Sequence, residues 1–179
     1  MTTPTTEKKG VVSARLLPDW AILDPDLTLG LPPPVTAATG IDAMVHAIEA
    51  YTSRHKKNPI SDQLARQALA LLSANIREAC RNGADREARG AMLLGSMLAG
   101  MAFANAPVAA VHALAGICRD CGVPASLAEV GVSEADLTRL AEDAMKQTRL
   151  LVNNPREVTY RDAYAIYSEA LDGKQRQAA

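Results

Sequence analysis

The sequence predicts a mainly α fold: a helical bundle preceded by one short strand. Two observations carry this. Apolar residues make up 48% of the chain but aromatic residues only 3%. Leu, Ala, Val and Met must therefore fill the core, and such small or flexible side chains suit closely packed helices better than a sheet. Beyond residue 35, apolar positions recur at helical spacing between residues that start or stop helices. At 179 residues the chain fits one domain with one core.

Residues 1–35 read as a remnant and linker. The apolar run Trp20-Ala21-Ile22-Leu23 predicts a buried strand, ended by Asp24-Pro25, because the residue before a proline avoids the helical region. Residues 24–35 form a Pro/Gly-punctuated connector. A helix is expected over 36–54, starting near Thr36 or Thr39. A second is expected over 61–80, with Ser61 as N-cap and Leu64, Ala68, Leu71, Leu72 and Ile76 at helical spacing. In a third, 84–104, Gly95, Ala99 and Gly100 would let a neighbour approach closely. Pro107 suits the first turn of a fourth, 106–115. Gly116 to Pro124 is turn-like. Ser133-x-x-Asp136 and Thr159-x-x-Asp162 open two further helices, reaching about 147 and 171. Residues 36–172 thus make a helical domain, and 173–179 a polar tail.

Charge and composition exclude several classes. Net charge is −1, from 19 basic and 20 acidic residues with no long basic run, so a nucleic-acid partner has no electrostatic support. No apolar stretch approaches the roughly 20 residues of a membrane span. The polar start, MTTPTTEKKG, has no apolar core of a secretory signal. Three cysteines, Cys80, Cys118 and Cys121, give no disulfide framework and suit a reducing compartment. A cytoplasmic protein with no nucleic-acid or membrane partner is expected.

Asp42 and His46 sit four apart in a predicted helix, which puts both on one face one turn apart. A carboxylate and an imidazole both bind divalent metals, although such a pair is more often a half-exposed polar couple. Glu49, one turn further on, reads either as a partner holding His46 or as an exposed helix residue. His112 lies in the apolar setting Ala109-Ala110-Val111-His112-Ala113-Leu114, where a hydrogen-bonded core histidine is the commoner outcome. Together the three supply two imidazoles and a carboxylate, a set that suits Fe(II) or Zn(II). His55, among Arg54, Lys56 and Lys57, reads as a solvated residue. Cys118-x-x-Cys121 has no second pair or following His at ligand spacing, so it reads as structural.

The segment 23–53, LDPDLTLGLPPPVTAATGIDAMVHAIEAYTS, resembles iron-containing (type III) alcohol dehydrogenases, as do 95–115, GSMLAGMAFANAPVAAVHALA, and 121–171. The resemblance implies the helical, metal-binding C-terminal domain of that family, whose N-terminal α/β domain binds NAD(P). It implies NAD(P)-dependent oxidation of a small alcohol, or the reverse, with Fe(II) or Zn(II). Asp42 and His46 match the family's D-x-x-x-H pair, and His112 matches the His of its VHALA motif. Lys8 matches a lysine that touches the cofactor in relatives, with a solvated N-terminal lysine as the alternative.

Two departures accompany these matches. The family continues after VHALA with a segment rich in His, Pro and Gly that carries a fourth metal ligand and a further His. Here the chain runs from Ala115 into Gly116-Ile117-Cys118, as an internal deletion near 115–116 would leave it. Only the last piece of the nucleotide-binding domain is expected, within 1–35. These departures predict that the isolated chain is inactive, since hydride transfer requires a positioned nicotinamide. The rival reading is a non-catalytic helical module for metal binding or oligomerisation. Helix faces uncovered by the deletion would favour self-association, so a homo-oligomer is compatible with either reading.

Overall fold

The computed structural model describes residues 13–16, 18–54, 57–105, 120–124, 126–146, 151 and 157–172. These include five α-helices: α1 (Pro33–Thr52), α2 (Pro59–Arg81), α3 (Arg86–Asn105), α4 (Leu137–Met145) and α5 (Tyr160–Asp172). Short 3-10 turns lie at Ala14–Leu16, Pro25–Thr28, Ala128–Val130 and Glu134–Asp136. Helices α1, α2 and α3 pack on one another, and α4 packs on α5. The helix expected over 106–115, together with Lys8, His55, His112 and Cys118, lies outside the described residues.

The expected N-terminal strand is absent. Trp20 to Leu23 form no strand, and no residue among those described does. Trp20 is 89% exposed and Ile22 91%. A strand needs a neighbour to take its backbone hydrogen bonds and a layer to cover its apolar face. The described residues provide neither.

Helix α1 begins a turn earlier than Thr36. Pro33 and Pro34 occupy its first turn, where the missing N–H groups would have no partner anyway. Thr36 is buried and receives a hydrogen bond from Arg89 at 2.7 Å, and the Thr39 hydroxyl donates back to the Val35 carbonyl at 2.8 Å. Helix α2 also starts earlier, at Pro59. Asn58 is its N-cap and accepts from the Ser61 backbone N–H at 2.9 Å. The Ser61 hydroxyl accepts from the Asn58 N–H at 3.3 Å, which completes a capping box. Asp85 caps α3, accepting from the backbone of Glu87 at 2.9 Å and Ala88 at 3.0 Å.

The expected cap of the fourth described helix is present. The Asp136 carboxylate accepts from the Ser133 hydroxyl at 2.7 Å and from its backbone N–H at 3.1 Å. These bonds hold the Asp136 carboxyl below the ordinary aspartate range. A carboxyl depressed by folding lends stability above its unfolded value and loses it as pH falls through the folded one. Thr159 and Asp162 form the equivalent start of α5, with the Thr159 N–H donating to the carboxylate at 2.9 Å.

The core of the three-helix unit is built from small residues. Ala43, Ala47 and Ala50 of α1 are buried against Ala65, Ala68, Leu72 and Ile76 of α2 and Leu98, Ala99 and Ala102 of α3. Two glycines set the approach. A Cβ on Gly95 would lie 2.7 Å from Leu72 Cγ, and one on Gly40 would lie 2.9 Å from Ile76 Cδ1. Gly100, expected at a similar contact, is exposed, and a Cβ there meets nothing described within 4 Å.

Arg89 secures the ends of this unit. It is 3% exposed. Its guanidinium donates to the Gly83 carbonyl at 3.0 Å, the Thr36 hydroxyl at 2.7 Å and the Leu31 carbonyl at 3.2 Å. One side chain thereby ties the connector, α1 and the α2–α3 turn.

Three outcomes follow for urea unfolding. Gly95→Val is expected to lower stability by about 1–3 kcal/mol through overpacking, whereas Gly100→Ala should raise it by about 0.5–1 kcal/mol through helix propensity. Equal effects at the two sites would contradict the packing described. Arg89→Met is expected to cost about 1–3 kcal/mol for each buried acceptor left without a donor, seen as a lower denaturation midpoint.

Candidate metal centre

Asp42, His46 and Glu49 share one face of α1, adjoining the stripe that carries the buried Ala43, Ala47 and Ala50. His46 Nδ1 lies 3.1 Å from Glu49 Oε2, and Nε2 lies 3.4 Å from Asp42 Oδ2. The Asp42 side chain is 71% exposed and that of Glu49 14%. From α3, Phe103 places its ring centroid 4.6 Å from that of His46. Of the two readings of Glu49, its burial and its contact with His46 favour the partner role.

This geometry has a chemical consequence. An ionised carboxylate only accepts, so the 3.1 Å contact to Glu49 is a hydrogen bond only in the form that carries a proton on Nδ1. In a neutral imidazole, Nε2 then holds a lone pair, and that lone pair faces another carboxylate oxygen. Two acceptors facing each other at 3.4 Å repel unless His46 takes a second proton or a cation sits between them. Asp42 and His46 are an oxygen and a nitrogen donor of the kinds that hold a divalent cation, and Glu49 stands where it can brace the His46 ring.

Among the described residues no three His, Cys, Asp or Glu side chains gather into a complete metal cage. His112, the expected third donor, and Lys8, the expected cofactor contact, lie outside the described residues. A cavity of about 220 Å³ lies between the connector and helices α1 to α3, lined by Thr36, Gly40, Leu72, Arg89 and Met92 among others. Neither Asp42 nor His46 lines it. No described helix is long and apolar enough to cross a membrane.

Residues 36–118 match the model of the Fe-containing alcohol dehydrogenase family, C-terminal. The chain belongs to that family. It is 36% identical to long-chain-alcohol dehydrogenase 1 of Geobacillus thermodenitrificans over 230 residues, covering 94% of this chain and 58% of that protein. It is 48% identical to sulfoacetaldehyde reductase of Bilophila wadsworthia over 122 residues, covering 68% of this chain and 31% of that one. The fold matches an alcohol dehydrogenase from Oenococcus oeni with a TM-score of 0.74 at 31% identity, over 82% of this chain and 54% of that one. The chain thus spans little more than half the length of the Geobacillus relative. The aligned span with that relative, 230 residues, exceeds the 179 available here. The relative therefore carries residues inside the span that have no counterpart in this chain.

Glu49→Ala is expected to free the His46 ring. Nitrogen-detected NMR of the imidazole should show the Nδ1-protonated tautomer in the parent protein and a mixture of tautomers in the variant. An unchanged tautomer would mean that Glu49 does not hold the ring.

Proposed function

We propose that these residues form the metal-holding part of an NAD(P)-linked oxidoreductase acting on an alcohol or aldehyde, with Asp42, His46 and His112 as metal donors. The His46 ring carries the proposal, with Nδ1 committed to Glu49 and Nε2 turned toward the Asp42 carboxylate. Family membership supports the reaction class.

When bound, Fe(II) or Zn(II) supplies Lewis-acid polarisation of the alcohol or aldehyde oxygen. The residues of this chain do the holding and orienting. Asp42 offers a charged oxygen from an open position, so it can turn to meet a cation. His46 offers Nε2 with its ring braced by Glu49 on one side and Phe103 on the other. The rigid three-helix unit keeps these groups one helical turn apart. Placing a nicotinamide against the reacting carbon is a separate task, and in this family it falls to another domain. Positioning of that kind supplies about 7–11 kcal/mol of barrier reduction. The 179 residues alone are therefore expected to bind metal without reducing NAD in the presence of an alcohol. Turnover that disappears in Asp42→Ala would overturn this expectation.

A second reading is favoured by the unmatched residues in the Geobacillus alignment. A break near 115–116 would remove family residues that follow the VHALA motif and leave a metal-binding or oligomerisation module without catalysis.

The test is a circular-dichroism melt with and without Zn(II) or Fe(II). A metal present at a hundred times its Kd stabilises the folded state by about 2.7 kcal/mol. A cooperative helical melt should move upward with metal in the parent protein and not in His46→Ala. A melt indifferent to metal in both would refute the proposed site.

A further inference from the structure

Cys80, near the end of α2, and Cys121, in the turn after the undescribed 106–119 segment, are both free and half-buried. Both pack on the same cluster of Ala43, Met44, Leu72 and Ile76. The Cys80 thiol donates to the Pro33 carbonyl at 3.8 Å, and Cys121 is near enough to push the Cys80 thiol upward. An ion pair beside them fixes the register: Arg77, one turn before Cys80, donates through Nε at 2.8 Å and Nη2 at 2.7 Å to Asp120 Oδ2, immediately before Cys121. Chain segments far apart in sequence thus bring two cysteines onto one apolar cluster, a placement that the Cys118-x-x-Cys121 spacing does not suggest.

We infer that Cys80 and Cys121 form a reversible disulfide when the protein meets a low-molecular-weight disulfide oxidant such as oxidised glutathione. The Cys121 sulfur attacks one sulfur of the oxidant, expels one thiolate and leaves a mixed disulfide. The Cys80 sulfur gives its proton to solvent, attacks the Cys121 sulfur and expels the second thiolate. The two cysteines together lose two electrons and two protons, and the oxidant leaves as two thiols. Burial, reinforced by Cys121, pushes the Cys80 thiol up to about 11, which makes it a poor attacker of an oxidant from solution, since the thiolate is the attacking species. The bond would close a loop containing all of α3 and His112, tying the segment beyond His112 to α2. It restricts the unfolded chain and so stabilises the folded one. The inference does not depend on the metal reading.

The experiment is oxidation of the full chain with oxidised glutathione, in native buffer and in urea, followed by trypsin digestion without reductant. The three cysteines fall in separate peptides, 78–81, 90–119 and 120–139. In native buffer the expected product is 78–81 joined to 120–139, two hydrogens lighter than the sum of the free peptides, with Cys118 unlinked. The same link should form in Cys118→Ser and be lost in Cys80→Ser. The thermal midpoint should rise on oxidation of the parent protein and not of Cys80→Ser. In urea the selectivity for this pair should disappear. Native linkage of 90–119 to 120–139, or three free thiols after oxidation, would overturn the inference.

Discussion

Close approach of three helices through alanine and glycine is the constraint on which the rest of the structure depends. Gly40 and Gly95 face Ile76 and Leu72 at separations that a Cβ would violate, and alanines fill most of the buried positions around them. With so little side chain between the backbones, α1 has little freedom to rotate against α2 and α3. That fixed rotation buries Ala43 and Ala47 and sets Asp42 and His46 at the edge of the packed side, Asp42 exposed and His46 half-buried. It also brings Phe103 of α3 against the His46 ring. A bulkier core would still make helices, but it would not set this face to the precision a metal site needs.

The ends of the unit are held by a different device. Arg89 is a buried cation whose three hydrogen bonds go to uncharged oxygens. One of them lies just past the C-terminal end of α2, where the helix dipole favours positive charge. The guanidinium replaces backbone partners that the connector and the α2–α3 turn cannot supply for themselves. A lysine, with a single point of charge, could not span the same three acceptors.

What the sequence made legible was local. The Ser133–Asp136 pair and the start of α5 follow from residues three apart, and both were expected. The helical spacing of Asp42 and His46 likewise sufficed to put them on one face. Errors arose where a distant residue decides the outcome. Thr36 looked like a cap, but its hydroxyl belongs to Arg89, fifty-three positions away. The exception is local: Asn58, three residues before the expected N-cap Ser61, holds that place. The run Trp20 to Leu23 looked like a strand, but a strand depends on a neighbour that its own residues do not name. Glu49 stayed ambiguous from sequence because its burial comes from the packing of α1 in the bundle. The meeting of Cys80 with Cys121 had no local signal.

Asp42 and His46 are proposed as metal donors held in place by the three-helix unit. X-ray absorption on the zinc-loaded chain tests this most directly. Nitrogen and oxygen neighbours are expected at about 2.0–2.1 Å, with an imidazole contribution that weakens in His46→Ala. Sulfur neighbours at about 2.3 Å would instead place the metal on cysteines and contradict the account.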